Sequence, residues 1–157
     1  MRGTMICGVT DSDEGRGAVE LGVELSKRLG LRLVLAHVAP GFYPREAVED
    51  GAESVVMKGD RIQAERLLAD LAEEYGVTET AERRSGVGDR GALLGQIAAE
   101  EAADVIVVGS RARGWRGGGL QSRLAQELRA ATPVPILIAP PSSGRRARAL
   151  AVNGARR

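Results

Sequence analysis

From Gly109 to Gln126 the chain carries four arginines, at positions 111, 113, 116 and 123, and no carboxylate. Gly114, Gly117, Gly118 and Gly119 lie among them, and an apolar run, ADVIVVG, leads into the segment. Glycines let backbone N–H groups approach an anion closely, and a following helix presents a partly positive end. An arginine fork adds charged donors suited to phosphate. The same composition also suits a solvated connector, with the triple glycine serving only to make it mobile. A second group of polar residues, VTDSDE, follows the apolar run TMICGV and places Asp11 beyond a strand end. Its carboxylate can accept from ligand hydroxyls or simply satisfy neighbouring N–H groups. Trp115 can stack on a base or stand as an exposed loop aromatic.

Other reactive chemistry is scarce. His37 and Cys7 are the sole members of their kinds, too few for a metal cluster, and no Ser/His/Asp arrangement has supporting context. His37, alone at a strand end, reads as a packing residue, and Cys7 as a small buried hydrophobe. A lysine-bearing P-loop is missing, so no transferable phosphate is held in that way. The chain is expected to bind rather than catalyse.

The elements that position these residues alternate regularly. TMICGV is a strand, after which Ser12 or Asp13 can cap a helix with Glu14 near its positive end. Ala18, Leu21, Leu25 and Leu29 then recur at helical spacing up to Gly30. LRLVLAHV reads as a second strand, and a helix is evident through Ala64, Leu68, Leu71 and Tyr75, stopping at Gly76. Its beginning, somewhere in VEDGAESVVMKGD, is not fixed by pattern. TETAERRSG alternates weakly, as an edge strand does. Asp89 or Gly91 opens a helix with Leu93, Leu94, Ile97 and Ala98, and ADVIVVG is a buried strand. A helix through Leu124, Leu128 and Ala131 and the strand PVPILIAP follow. Strands separated by helices predict a parallel, doubly wound α/β sheet with helices on both faces. Ligands of such sheets bind beyond the carboxyl ends of the strands, where strand order reverses. The VTDSDE and VGSRARG segments occupy those ends.

At 157 residues, with 43% apolar and 27% charged, the chain fits one globular domain, and 3% aromatics leave the core to Leu, Val, Ile and Ala. No apolar stretch approaches the ~20 residues of a membrane helix. A signal-peptide pattern is absent, and one cysteine forms no internal disulfide, so a cytoplasmic location is expected. The net charge of +1 conceals an asymmetry, because residues 141–157 contain five arginines and no acid. The body alone carries 17 basic against 21 acidic residues. A tail of this composition is expected to be solvated and disordered, without the aromatic interleaving of a specific nucleic-acid arm.

VTDSDE, the AHV that ends the second strand, ADVIVVGSRARG and TPVPILIAP, in this order, resemble the universal stress protein family across residues 4–140. The resemblance implies one domain over residues 1–140 and a five-stranded parallel sheet in the order 3-2-1-4-5, the adenine nucleotide alpha hydrolase-like arrangement. It also implies a homodimer through the last strand, Val134 to Ile138, acting on an unknown regulatory partner. Nucleotide-binding relatives share a phosphate motif, G-x2-G-x9-G-[S/T], here represented by Gly109, Ala112, Ser122 and Arg123. Only the first position keeps its residue type. Arg123 exchanges a hydroxyl for a charged fork. Val9, Thr10 and Asp11 match the nucleoside side of the site, and Val38 the position whose backbone holds adenine. Arg111 and Leu124 complete the implied site. Its ligand would be ATP or another adenine nucleotide, cyclic AMP included, with magnesium as companion. The alternative is a dimeric interaction protein of the same fold whose site binds no nucleotide. Weak ATP hydrolysis or adenylation ranks behind both, since the Ser-Gly-Gly loop of adenylating relatives is absent.

Overall fold

The apolar runs form strands buried on both sides, as a parallel sheet covered by helices requires. The computed structural model describes residues 2–10, 12–39, 55–110 and 122–142. Their elements are β1 (Thr4–Gly8), α1 (Asp13–Leu29), β2 (Arg32–Ala39), α2 (Val55–Glu74), β3 (Glu82–Val87), α3 (Arg90–Glu100), β4 (Val105–Gly109), α4 (Arg123–Ala131) and β5 (Ile136–Ala139). All strand pairs are parallel, in the order β3-β2-β1-β4-β5. The doubly wound sheet expected from the sequence is the sheet the chain forms.

Alternation along the strands divides the core into two layers. Met5, Cys7, Leu33, Leu35 and Val107 face one side, against Val19 and Val23 of α1 and Leu68 and Leu71 of α2. Ile6, Val34, Ala36, Ile106 and Val108 face the other, against Leu94 and Ile97 of α3 and Leu124 and Leu128 of α4. Cys7 is wholly enclosed, and burial pushes its thiol up to about 12. It stays protonated and serves as packing. No helix among the described residues is long and apolar enough to cross a membrane.

Three helices open on capping side chains. Ser12 accepts from the Gly15 N–H, Asp89 from Ala92 and Ser122 from Ala125. α1 stops at Gly30, whose φ is 66°. α2 ends one residue before Tyr75, with the Val77 N–H returning to the Ala72 carbonyl. The third strand differs from the sequence expectation: Thr78–Thr80 are a turn, and the ladder begins at Glu82. Val77 and Ala81 are buried under the first core layer, and the Ala81 N–H is bonded to the Val77 carbonyl. That turn withholds the backbone which an earlier strand start would need.

At the amino-terminal edge of the sheet, charge is paired within the fold. Arg32, opening β2, reaches Glu82 on β3 and Glu101 after α3, each at 2.8 Å. Arg84 of β3 bonds Glu101 at 2.5 Å and also pairs with Glu100. Burial works to raise the Glu101 carboxyl, yet its two arginine partners together hold it below the usual carboxylate range. A depressed carboxyl stabilises the fold above its unfolded value, near 4.5, and loses that contribution as pH falls through the folded value. Glu101→Gln should therefore cost about 1–2 kcal/mol at neutral pH, limited by solvent around both arginines. Denaturation measured against pH should show the gap between variant and wild type closing as pH drops below 4.5. A gap unchanged down to acid pH would contradict this role.

Candidate functional site

At the opposite edge of the sheet, Gly8 pairs with Ala36 on one side and Val108 on the other. The next residues of the three strands are thereby brought level. Val9 stands level with His37 of β2 and Gly109 of β4, which are about 10 Å apart since neighbouring strands are ~4.8 Å apart, and Val38 lies one residue beyond His37. From β1 the chain winds out through β2 and β3, then crosses to β4 on β1's other side. The gap between β1 and β4 is where the winding reverses, the usual ligand position of such sheets.

The first turn of α1 closes on this gap at very short range. A Cβ on Gly15 would lie 2.0 Å from the Thr10 carbonyl oxygen, and one on Gly17 would lie 2.1 Å from that of Pro140. Neither backbone could remain in place beside a side chain there. The Thr10 and Ser12 hydroxyls are 2.8 Å apart, and Ser12 caps α1. Val9 is 3% exposed, its N–H is bonded to the Ala36 carbonyl, and its own carbonyl lies 2.6 Å from His37 Nδ1. A carbonyl can only accept, so this imidazole nitrogen carries the hydrogen. Val38 is also buried. On the other side, Ser110 donates through both its N–H and its Oγ to the Ala139 carbonyl, at 3.1 and 2.7 Å. This ties the end of β4 to that of β5.

α4 brings up the far wall. Ser122 is buried and spends its hydroxyl on the Ala125 N–H at 3.1 Å. Leu124 packs into the second core layer. Arg123 extends outward with 88% of its side chain exposed and pairs at 3.6 Å with Glu127, which also meets Arg90 at 3.6 Å. The fold thus gathers Val9, Thr10, Val38, Gly109 and Ser122 around one edge, while the side chains of Arg123 and Leu124 point to solvent and to the core. Asp11, Arg111, Ala112 and Trp115 lie outside the described residues. Sequence reasoning missed Gly15, Gly17 and Ser110, and gave His37 packing alone. The glycines had a signal: two in a helix's first turns cost roughly 1 kcal/mol each against alanine, which implies a packing reason.

Chemically, the edge offers two capped helix N-termini and small hydroxyls, while the Val9 and Val38 side chains are buried in the two core layers. Such helix ends favour anions. Among the described residues no group of three or more His, Cys, Asp and Glu could hold a metal ion, so these side chains do not build a magnesium site of their own.

The universal stress protein family model matches residues 1–140. The chain belongs to the universal stress protein family. Solved structures of universal stress proteins share its fold at low identity. The UspA protein of Lactobacillus plantarum aligns with a TM-score of 0.65 at 14% identity, covering 88% of this chain and 99% of that one. A universal stress protein in complex with cAMP aligns at 0.59 and 20%, covering 90% and 98%. An Arabidopsis thaliana member of the family with AMP bound aligns at 0.59 and 18%, covering 91% and 94%. No curated protein matches the chain by sequence.

In this universal stress protein Ser122 is the N-cap of α4. Ser122→Ala should lower stability by about 1 kcal/mol, and Ser122→Gly by only a few tenths. Urea denaturation of the two variants checks the order. Equal losses would show that the hydroxyl is not acting as a cap.

Proposed function

We propose that this universal stress protein binds an adenine nucleotide beyond the carboxyl ends of β1, β2 and β4, and acts as a dimeric, cytoplasmic stress-response regulator. The observation that carries the reading is that α1 and α4, the helices that follow β1 and β4, each open on a capping serine, while the winding of the sheet reverses between those two strands. The complexes of similar folds with cAMP and AMP support the ligand class. In this reading the phosphates sit against the helix ends, each contributing about 0.3–1 kcal/mol and up to ~2 where partly buried. Adenine lies along Val9 and Val38, with the backbone at Val38 meeting its edge. Asp11 is the carboxylate assigned to the ribose, and Arg111 and Ala112 belong to the phosphate side of the same assignment. Magnesium would arrive bound to the nucleotide. Binding changes the protein only insofar as the nucleotide prefers one of two states, and that difference is what a regulatory partner would sense. No residue is assigned a chemical step.

The dimer joins β5 of one copy to β5 of another. Supporting this, β5 is an edge strand, Leu137 is 41% exposed, and Ile136 and Ile138 are half-buried. A second reading, a dimeric interaction protein without nucleotide, draws support from Ser122 and Arg123. Both stand at motif positions, yet one is spent as a cap and the other is turned to Glu127.

Calorimetric titration and thermal denaturation with ATP, ADP, AMP and cyclic AMP separate the two readings. The first predicts stabilisation of about 2.7 kcal/mol once free ligand reaches a hundred times its dissociation constant. Absence of any shift at millimolar concentration for all four would leave the interaction protein. Sedimentation supplies the second arm: a dimer for the wild type and a monomer for Leu137→Lys. A monomeric wild type would remove the β5 pairing from either reading.

A further inference from the structure

β3 is the edge strand of the sheet on the side away from β5, and its side chains alternate between the two faces. Arg83 lies level with Leu35, and Ser85 with His37. Leu35 faces the core layer that α2 covers, so Arg83 and Ser85 stand on that side of the strand. There α2 and β3 enclose a groove of about 350 Å³, lined by Glu65, Leu68 and Ala69 of the helix and by Arg83 and Ser85 of the strand. Its size falls at the lower end of clefts that hold small molecules. β2 and β1 lie between this groove and the β1–β4 gap, so the two sites are separate whether or not the gap takes a nucleotide.

The polar groups of the groove are short of partners. Among the described residues Arg83 makes no ion pair and no side-chain hydrogen bond, although its neighbour Arg84 is doubly paired. The Ser85 hydroxyl is likewise unengaged among them. Glu65 meets Arg61 through Oε1 alone, at 3.4 Å, which leaves its Oε2 open. Arg83 and Glu65 line the same space from two different elements without closing an ion pair across it. The floor between them is apolar, with Leu68 buried and Ala69 half-buried. Ile62, three residues before Glu65 on the same stripe of α2, is 42% exposed and adds apolar surface beside it.

A guanidinium on one wall, a carboxylate on the other and an apolar floor select a ligand that carries both charges on an apolar body. We propose that the groove between α2 and β3 binds a free amino acid with an apolar side chain. Its carboxylate takes the Arg83 fork and the Ser85 hydroxyl, its ammonium takes the open oxygen of Glu65, and its side chain covers Ala69 and Ile62. A plain anion meets the like charge of Glu65, and a plain cation meets that of Arg83. The two walls thus reject single charges by the same groups that hold a zwitterion.

Amide chemical-shift mapping with leucine, valine and methionine tests this, alongside isocaproate and isoamylamine, which each keep one charged group of leucine. At least one amino acid should bind saturably at millimolar concentration and move the amides of Glu65, Ala69, Arg83 and Ser85. Both single-charge compounds should bind about tenfold more weakly or worse, since each forfeits a charged hydrogen bond. Arg83→Gln and Glu65→Gln should each lower the amino-acid affinity about tenfold. Both positions are exposed, so the denaturation midpoints of the two variants should stay close to the wild type. Groove amides that stay still with all three amino acids would overturn the proposal. Isocaproate binding as tightly as leucine, or variants that bind as the wild type does, would overturn it as well.

Discussion

The carboxyl edge of this universal stress protein depends on how closely α1 lies against the chain at Thr10 and Pro140. No side chain fits at either contact, so α1 begins with two glycines where a helix would ordinarily avoid them. The conformational cost of those glycines is offset by what the approach fixes. The turn after β1 is held under the first turn of α1 at Gly15, and the exit from β5 is held two residues further on at Gly17. Thr10 and the cap at Ser12 are thereby set at the switch point, and Ser110 locks the end of β4 to that of β5.

The two edges of the sheet use charge in opposite ways. At the amino-terminal edge, Arg32 and Arg84 are matched to Glu82, Glu100 and Glu101 across β2, β3 and α3, leaving little field outside. At the carboxyl edge, the described polar groups are mostly hydroxyls and backbone, and helix ends provide the positive potential. Arg90 and Arg123 stand at its rim around a single Glu127. One edge matches its charges within the fold, and the other sets two arginines around one carboxylate. Glu20 fits neither pattern: it is buried in α1 with one carboxyl oxygen lacking a hydrogen-bond partner.

Much of this was legible in the sequence because burial writes itself into period. TMICGV and ADVIVVG had to be covered on both faces, and Ser12, Asp89 and Gly30 mark helix ends by mechanisms that act within a few residues. The start of β3 was not legible, because Thr78–Thr80 alternate as a strand does and only the bond from Ala81 to Val77 makes them a turn. Side-chain direction was hidden for a similar reason. Arg123 reads as a phosphate ligand from its place in a motif, while its actual partner, Glu127, is chosen by the helix it starts. Likewise, His37 carries no local sign that it will hold the Val9 carbonyl, because that pairing exists only once β1 and β2 align. Tertiary partners decide such roles, and periodicity does not record them.

The most direct measurement of the central claim is amide chemical-shift mapping of the labelled protein during titration with AMP. The account predicts that the movements concentrate at Val9, Thr10, Ser12, Val38, Gly109, Ser110 and Ser122, the ends of three strands and two helices. Amides around Arg32, Glu82 and Glu101 should stay still. Shifts gathered at that amino-terminal edge, or saturable binding that leaves the residues beside the switch point unmoved, would contradict the idea that the strand ends form one ligand site.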